Sequence, residues 1–320
     1  MTQEDIISLR IAIQMDPIEF INIDTDTSFV IALEAQRRNH ELYYYTPDNL
    51  HFLEGEIYAF GHKITLQRQK GAHAQLGKKQ KLSLKDFDVI LIRQDPPFDM
   101  AYITNTHLLE LLPPSVLILN HPKTVRNAPE KLFLLQFPDL IPPTLITADA
   151  AEIVAFRQKH QDIVIKPLYG NGGYGVFHVK ADDENLHALL EVHHRTSREP
   201  LVIQRYIPEV RQGDKRVILI DGQAVGAVNR IPKSGEARSN LHVGGRATKT
   251  DLSARDLHIC QAIGPTLKKL GILFAGIDII GPYLTEINIT SPTGFQQINQ
   301  LNNTCLERIF WDALEKQKKG

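Results

Sequence analysis

Asp278, Glu286 and Asn288 are the side chains whose type and spacing most readily do chemistry in this sequence. Apolar residues run from Leu273 to Ile280, Gly281-Pro282 reads as a turn, and an alternating strand returns from Tyr283 to Asn288. Pairing about Pro282 therefore sets Asp278 opposite Glu286, with Asn288 on the same face. Like charges opposed across a ladder repel. A hard divalent ion with oxygen ligands, bridging to substrate phosphates, removes that repulsion. A solvated hairpin with a polar outer face accounts for the same residues, so the rest of the chain has to decide.

A phosphate-binding loop is the second signal. Gly170-Asn-Gly172-Gly173-Tyr-Gly175 satisfies G-x-G-x-x-G, but a dinucleotide fingerprint must open a helix, and Val176 to Lys180 reads as a strand. The unit is strand, loop, strand: a flap whose glycines let backbone N–H groups lie against phosphates. Neither a G-x-x-x-x-G-K-[ST] loop nor the protein-kinase H-R-D and D-F-G motifs occur. Lys166 is a cation at the end of the apolar run Ile163-Val-Ile, and Lys131 follows Pro129; both suit phosphate oxygens, unless they snorkel to water over packed stems. Arg93, Arg216, Arg230, Arg238 and Arg246 add forks that pair with carboxylate or phosphate, although a surface ion pair would explain any one of them alone.

These residues need a scaffold of about two domains, since the chain has 320 residues. Arg10 to Met15, Glu41 to Tyr45, Phe87 to Arg93 and Val116 to Asn120 read as strands and Ser28 to Arg38 as an amphipathic helix, a three-layer α/β beginning with a parallel sheet. Polar residues from Gln67 to Lys81 read as a loop. Prolines 113, 114, 129, 142 and 143 punctuate a change of regime, which places a boundary near Ala128. Beyond it, strands are expected at Asp162–Pro167, Val176–Lys180 and Leu201–Tyr206, with a helix near Glu184–His194. A hairpin turns on Asp221-Gly222, a long loop over Ile231–Arg246 could serve as a lid, and helices at Ser253–Leu270 and Asn303–Lys316 flank the carboxylate hairpin.

A formal net charge of -1 gives no electrostatic case for nucleic acid or an anionic membrane. No run of about 18 apolar residues or signal-peptide pattern appears. Two cysteines, Cys260 and Cys305, without a C-x-x-C, fit a reducing cytosol.

Together the pieces resemble the bacterial glutathione synthetases of the ATP-grasp superfamily nearly end to end. The motifs that carry the resemblance are Met15-Asp-Pro-Ile18, Asp95-Pro-Pro-Phe-Asp99, Glu130-Lys-Leu-Phe133, Ile165-Lys-Pro-Leu168, Gly213-Asp-Lys-Arg-Val217, Gly244-Gly-Arg246, Gly276-Ile-Asp-Ile-Ile280 and Thr285-Glu-Ile-Asn288 with Ser291-Pro-Thr293. The resemblance implies an N-terminal α/β substrate domain over 1–128, then an α+β ATP-grasp fold over 129–320. The latter divides into a glycine-flap part (129–203) and a metal and substrate part (204–320), two antiparallel-sheet subdomains clasping ATP. It implies ligation of γ-glutamylcysteine to glycine through an acyl phosphate, with ATP and Mg2+ or Mn2+, by a cytoplasmic homotetramer. Residue by residue, it puts Lys131, Lys166, Gly170, Gly172 and Gly173 on the phosphates, Gln204, Tyr206 and Ile207 at the adenine hinge, and Asp214 by the ribose. Asp278, Glu286 and Asn288 would hold the metal. Arg216, Arg230 and Arg238 would act catalytically, while Arg93, Asn240, Ser291 and Thr293 would hold substrate carboxylates. Gln204-Arg205, Gln94 and Gly294-Phe295 depart from the family's pattern. A ligase with another acceptor, or a nucleotide-binding regulator without turnover, are the rival readings.

Overall fold

The computed structural model describes residues 8–235, 238–239 and 244–319. Three sheets follow one another along the chain. The first holds β1 (Arg10–Gln14), β2 (Glu41–Tyr45), β3 (Leu50–Leu53), β4 (Glu56–Leu66), β5 (Ala74–Leu76), β6 (Gln80–Ser83), β7 (Val89–Ile92) and β8 (Leu117–Leu119). Its centre, in the order β2-β1-β7-β8, is parallel as the apolar runs imply. β7 is Val-Ile-Leu-Ile and buried throughout, the signature of a strand covered on both faces.

The sheet as a whole is mixed. β4 joins β2 in antiparallel sense, and β3, β5 and β6 all pair with β4. The loop expected over Gln67–Lys81 is thus corrected. Its polar residues form edge strands β5 and the start of β6, where one face is solvated and alternation rather than apolar content marks a strand.

Helices cover both faces. The helix Thr27–Arg37 starts where Asp26 accepts the Phe29 N–H at 2.6 Å, and it packs Phe29, Val30 and Ile31 against Ile11 and Ile13 of β1. On the opposite face the helix Met100–Glu110 sets Tyr102 and Leu109 against Ala12, Ile90 and Ile92. Three layers result.

The second sheet, β9 (Thr144–Thr147), β10 (Ile163–Pro167), β11 (Phe177–Val179) and β12 (Leu201–Arg205), has the order β11-β10-β12-β9 and is antiparallel. The third holds β13 (Asp214–Ile220), β14 (Gln223–Ile231), β15 (Arg246–Thr248), β16 (Phe274–Ile280) and β17 (Tyr283–Asn288), ordered β15-β14-β13-β16-β17 and again antiparallel. Behind it the helix Ala254–Lys269 opens on a Ser253 and Asp256 capping box.

At the end of the chain the helix expected over Asn303–Lys316 stands at Leu306–Lys319, and a shorter one that the sequence reading did not contain precedes it. Phe295–Asn302 ends on Asn303 in the left-handed conformation, which cannot continue a helix, and Leu306–Lys319 follows. The second of these carries Phe310 and Trp311 into the core shared by the first and third sheets, and the Trp311 indole donates to the Ile31 carbonyl at 2.8 Å. Asn120 fastens the same junction: its amide nitrogen donates to the carbonyls of Phe274 and Ile289, while its oxygen accepts the Phe274 N–H. The second sheet has a core of its own around Ile163, Ile165 and Ile203.

Candidate functional site

A cavity of about 100 Å³ lies between the second and third sheets. Register explains its lining. His178, Val164 and Gln204 are paired across β11, β10 and β12, so they share a face, and Lys166 lies two residues beyond Val164 on that face. Ile163 and Ile165 point the other way into the core. The glycine loop joins β10 to β11, strand to strand as expected. Gly172, Gly173 and Gly175 have φ of 59°, 82° and 67°, which no side chain adopts cheaply.

From the opposite wall, Asp278 of β16 faces Glu286 of β17. The pairing is the expected one, reached by a device the sequence reading did not contain. Gly281-Pro282 forms a two-residue turn that pairs Ile280 with Tyr283 and Ile279 with Leu284, and the ladder continued evenly would set Asp278 against Thr285. A bulge skips Thr285, whose hydroxyl donates to the Asp278 carbonyl at 3.1 Å, and brings Glu286 into register.

Charge is arranged in two layers. Facing the cavity, Lys131 and Lys166 each place Nζ 3.9 Å from the same Glu286 oxygen. Lys131 is 3% exposed, donates to the Gly170 carbonyl at 2.5 Å and touches the Glu130 carboxylate. Beside Asp278 on the same sheet face, Arg216 grips its carboxylate with Nε and Nη2 at 2.5 and 3.0 Å, and Arg230 reaches Asp278 at 2.9 Å and Asp214 at 2.6 Å. Burial alone would push the Asp278 carboxyl up, but the two guanidiniums hold it well below the usual carboxylate range. The charge of Asp278 is therefore answered within the protein, which corrects the argument that the opposed carboxylates require an ion on that account.

The donor set still fits one. Among the described residues Glu286 has no cation within hydrogen-bonding distance, and phosphates supply the remaining oxygens of a site of this kind. Among the described residues no group of three or more His, Cys, Asp or Glu side chains is placed to hold a metal by itself.

Of the residues singled out in the sequence, the cavity brings together Lys131, Lys166, Gly170, Gly172, Gly173, Gln204, Tyr206, Ile207, Asp214, Arg238, Asp278 and Glu286. Asp214 accepts from Arg230 and Ser239 on one oxygen and keeps the other buried without a partner. Arg238 donates to the Gly173 carbonyl at 3.3 Å, joining the Ile231–Arg246 segment to the glycine loop. Arg216 and Arg230 lie outside the lining. So does Arg93, which is buried, donating to Ser28 Oγ at 2.9 Å and to the Pro292 carbonyl at 3.0 Å. Ser291 donates to the Arg93 carbonyl, and Thr293 accepts from Arg216, so Ser291–Thr293 ties the first sheet to Arg216. Asn240 lies outside the described residues.

Sequence reasoning missed Glu130, Val164, His178 and Ser239 as lining residues. Val164 and His178 were accessible through strand alternation on either side of the glycine loop. Glu130 was visible only as the neighbour of Lys131. Burial first, and then the nearby Glu286 carboxylate, push Glu130 up to about 7 from 4.5. Its proton is held more tightly in the folded chain than in the unfolded one, so this group's contribution to stability is complete below about pH 4.5 and is lost as pH rises to about 7. Up to ~3 kcal/mol is at stake. Glu130→Gln, neutral throughout, is expected to unfold at higher temperature than the parent at about pH 8 and to match it at about pH 5. Equal melting differences at the two pH values would remove Glu130 from this charge cluster.

Two antiparallel sheets closing on a cavity, a glycine loop without a following helix, two buried lysines on one wall and a carboxylate hairpin on the other define an ATP-grasp ligase. A model of the prokaryotic glutathione synthetase N-terminal domain matches residues 9–126, and one of that family's ATP-grasp domain matches residues 130–303. The chain belongs to the prokaryotic glutathione synthetase family. Glutathione synthetase of Mesorhizobium japonicum is 51% identical over 311 residues, covering 97% of this chain and 99% of its own. That of Brucella melitensis is 52% identical over 311 residues, covering 97% and 100%. Among solved structures, D-cycloserine synthetase DcsG superposes with a TM-score of 0.67 at 14% identity, covering 96% of this chain and 99% of its own. The ATP-grasp ligase PsnB, complexed with a phosphomimetic precursor variant, Mg and ADP, gives 0.61 at 19%, covering 97% and 98%. At these identities the likeness is one of fold. Family membership makes the chain an ATP-dependent carbon–nitrogen ligase that synthesises glutathione, using ATP and a divalent metal.

Proposed function

We propose that the cavity binds Mg·ATP with its triphosphate between Lys131, Lys166 and the Gly170–Gly173 loop, its ribose at Asp214 and its base at the Gln204–Ile207 hinge. The convergence of both lysines on Glu286 carries this reading, since Lys166 stands beyond bonding distance of that carboxylate and Lys131, bonded to Glu130 and Gly170, still has a third N–H to give an anion between them. Glu286 and Asn288, beside Asp278, would hold magnesium; bound there, it neutralises charge on the transferring phosphoryl oxygens. Asp278 would be aimed by Arg216 and Arg230, which act on the reaction through it. Arg238 touches the glycine loop and the cavity at once, a position from which it can register the acid being activated.

The reaction follows from the poor electrophilicity of a carboxylate. An oxygen of the cysteinyl carboxylate of γ-glutamylcysteine attacks the γ-phosphorus, ADP leaves, and the acyl phosphate so formed is attacked by the amine of glycine. Phosphate departs with the carbonyl C–O bond, and the amine loses a proton. The lid expected over Ile231–Arg246, of which residues 236–237 and 240–243 lie outside the described residues, would serve to keep water from the acyl phosphate. Phosphate release is the test. It is expected to need γ-glutamylcysteine and glycine together, with D-alanine or glutamate giving little. Equal release with any acceptor, or none at all, would overturn the assignment.

The same reading places the enzyme in the cytoplasm, where the free Cys260 and Cys305 stay reduced. It also assembles the chain as a homotetramer. Exposed Phe52, Leu53 and Phe60 on β3 and β4 are surface that a second copy would cover.

A further inference from the structure

The first sheet has a crevice of its own, and one aromatic contact joins it to the glycine loop. β1 lies between β2 and β7, all three parallel, so the chain leaves β1 to one side and β7 to the other, the point at which open α/β sheets receive ligands beyond their carboxyl ends. Asp16 and Asp95 stand just past those ends, where the Asp95 N–H donates to an Asp16 carboxylate oxygen at 2.6 Å. From Asp95 the chain runs through Pro96 and Pro97, whose rings fix the backbone, to Phe98 and then Asp99, which caps the helix Met100–Glu110 by accepting the Tyr102 N–H at 2.9 Å. Held at both ends and stiffened between, this segment has little slack. Phe98 rests on Tyr102, ring centroids 5.2 Å apart, and meets Tyr169 at 6.2 Å with planes 26° from each other.

Tyr169 immediately precedes the glycine loop, and the loop is pinched there. The Gly170 N–H donates to the Pro167 carbonyl at 3.3 Å, and a Cβ on Gly170 or Gly175 would come within 3.1 or 2.7 Å of the Pro167 side chain. These glycines are the two ends of the loop, so a push on Tyr169 moves it as one body. Lys131 on the Gly170 carbonyl and Arg238 on the Gly173 carbonyl also tether the loop, but both are cations that bound anions attract, whereas the aromatic contact is indifferent to charge. We propose that Phe98 and Tyr169 couple two binding events: γ-glutamylcysteine seated in the crevice of the first sheet fixes the Asp95–Asp99 segment, which holds the glycine loop closed over the nucleotide. By linkage, nucleotide tightens the crevice on the acid by the same factor. The inference rests on the ATP reading of the cavity and adds a connection that lies outside it. Tyr169 is a positioning residue here, since it acts through the loop.

Calorimetry with Mg·AMPPNP, which does not transfer its terminal phosphoryl group, measures the coupling. In the wild-type enzyme γ-glutamylcysteine is expected to tighten Mg·AMPPNP about fivefold, a factor within reach of one aromatic pair. Tyr169→Ala and Phe98→Ala are each expected to bring that factor below about twofold, and the double variant to lower it no further, with Mg·AMPPNP alone bound within about twofold of the wild type. Tyr169 is exposed, so its alanine variant is expected to fold. Tyr169→Phe, which keeps the ring, is expected to retain the full factor. Coupling that survives in Tyr169→Ala, disappears in Tyr169→Phe or is absent from the wild type would overturn the proposal. A wild-type enzyme that does not bind Mg·AMPPNP at all would instead sink the nucleotide reading beneath it.

Discussion

Glu286→Ala is expected to lower turnover by on the order of 10²-fold or more while leaving the melting temperature unchanged or slightly raised. Both halves follow from the geometry. The carboxylate faces the cavity, and its nearest cations stand 3.9 Å away, beyond hydrogen-bonding range. Among the described residues its removal breaks no hydrogen bond, although the attraction that favours the charged Lys131 is lost. It also relieves repulsion, because Glu286 is the charged neighbour that, after burial, pushes Glu130 up to about 7. What disappears is the open oxygen donor nearest both lysines, and with it the means of holding a metal against phosphate. Mg·ATP affinity, measured by calorimetry, should fall with turnover. The Glu130 titration, followed by carboxyl chemical shift, should move down toward its ordinary range. An active variant with parental Mg·ATP affinity would move the centre of reaction elsewhere in the molecule.

The different fate of the two carboxylates is what the sequence concealed. Alternation and a turn signal were enough to bring the two strands together about Gly281-Pro282, but it is the bulge that faces Asp278 with Glu286. The bulge at Thr285 was not legible: a skipped residue leaves no compositional trace when its neighbours are apolar and polar in the ordinary alternation. Nor was the second layer of charge. Arg216 and Arg230 are on different strands from Asp278, and only the order β14-β13-β16 brings both beside it. Nor was the burial of Arg93 beneath Pro292, which depends on a contact between residues 199 positions apart. The parallel centre of the first sheet was readable from apolar runs. The β3–β6 ribbon was not, since its edge strands carry lysines and glutamines that serve equally well in a loop.

Arg216→Ala is expected to fail in the opposite manner from Glu286→Ala, losing stability and turnover together. Asp278 is 3% exposed and accepts a bond from this guanidinium on each of its carboxylate oxygens. Truncation leaves a buried carboxylate with Arg230 alone on one oxygen, and breaking such a pair from one side costs ~3 kcal/mol or more. It also frees the Thr293 carbonyl, which Arg216 Nη1 holds at 3.3 Å, so the Ser291–Thr293 turn loses a tether to the wall of the site. Turnover should drop by on the order of 10²-fold as Asp278 loses its aim, even though Arg216 does not line the cavity. Lysine is a poor rescue, because one ammonium cannot reproduce a fork that binds both carboxylate oxygens. A second substitution separates the two losses. In the background of Arg216→Ala, Asp278→Asn removes the uncompensated charge and should recover much of the stability in urea titrations, yet none of the turnover. If the single variant keeps its parental midpoint while turnover collapses, Arg216 works directly on the reacting groups and the two-layer arrangement of charge is wrong. If the double variant regains activity along with stability, Asp278 has no part in catalysis and the acidic function of the hairpin belongs to Glu286 alone.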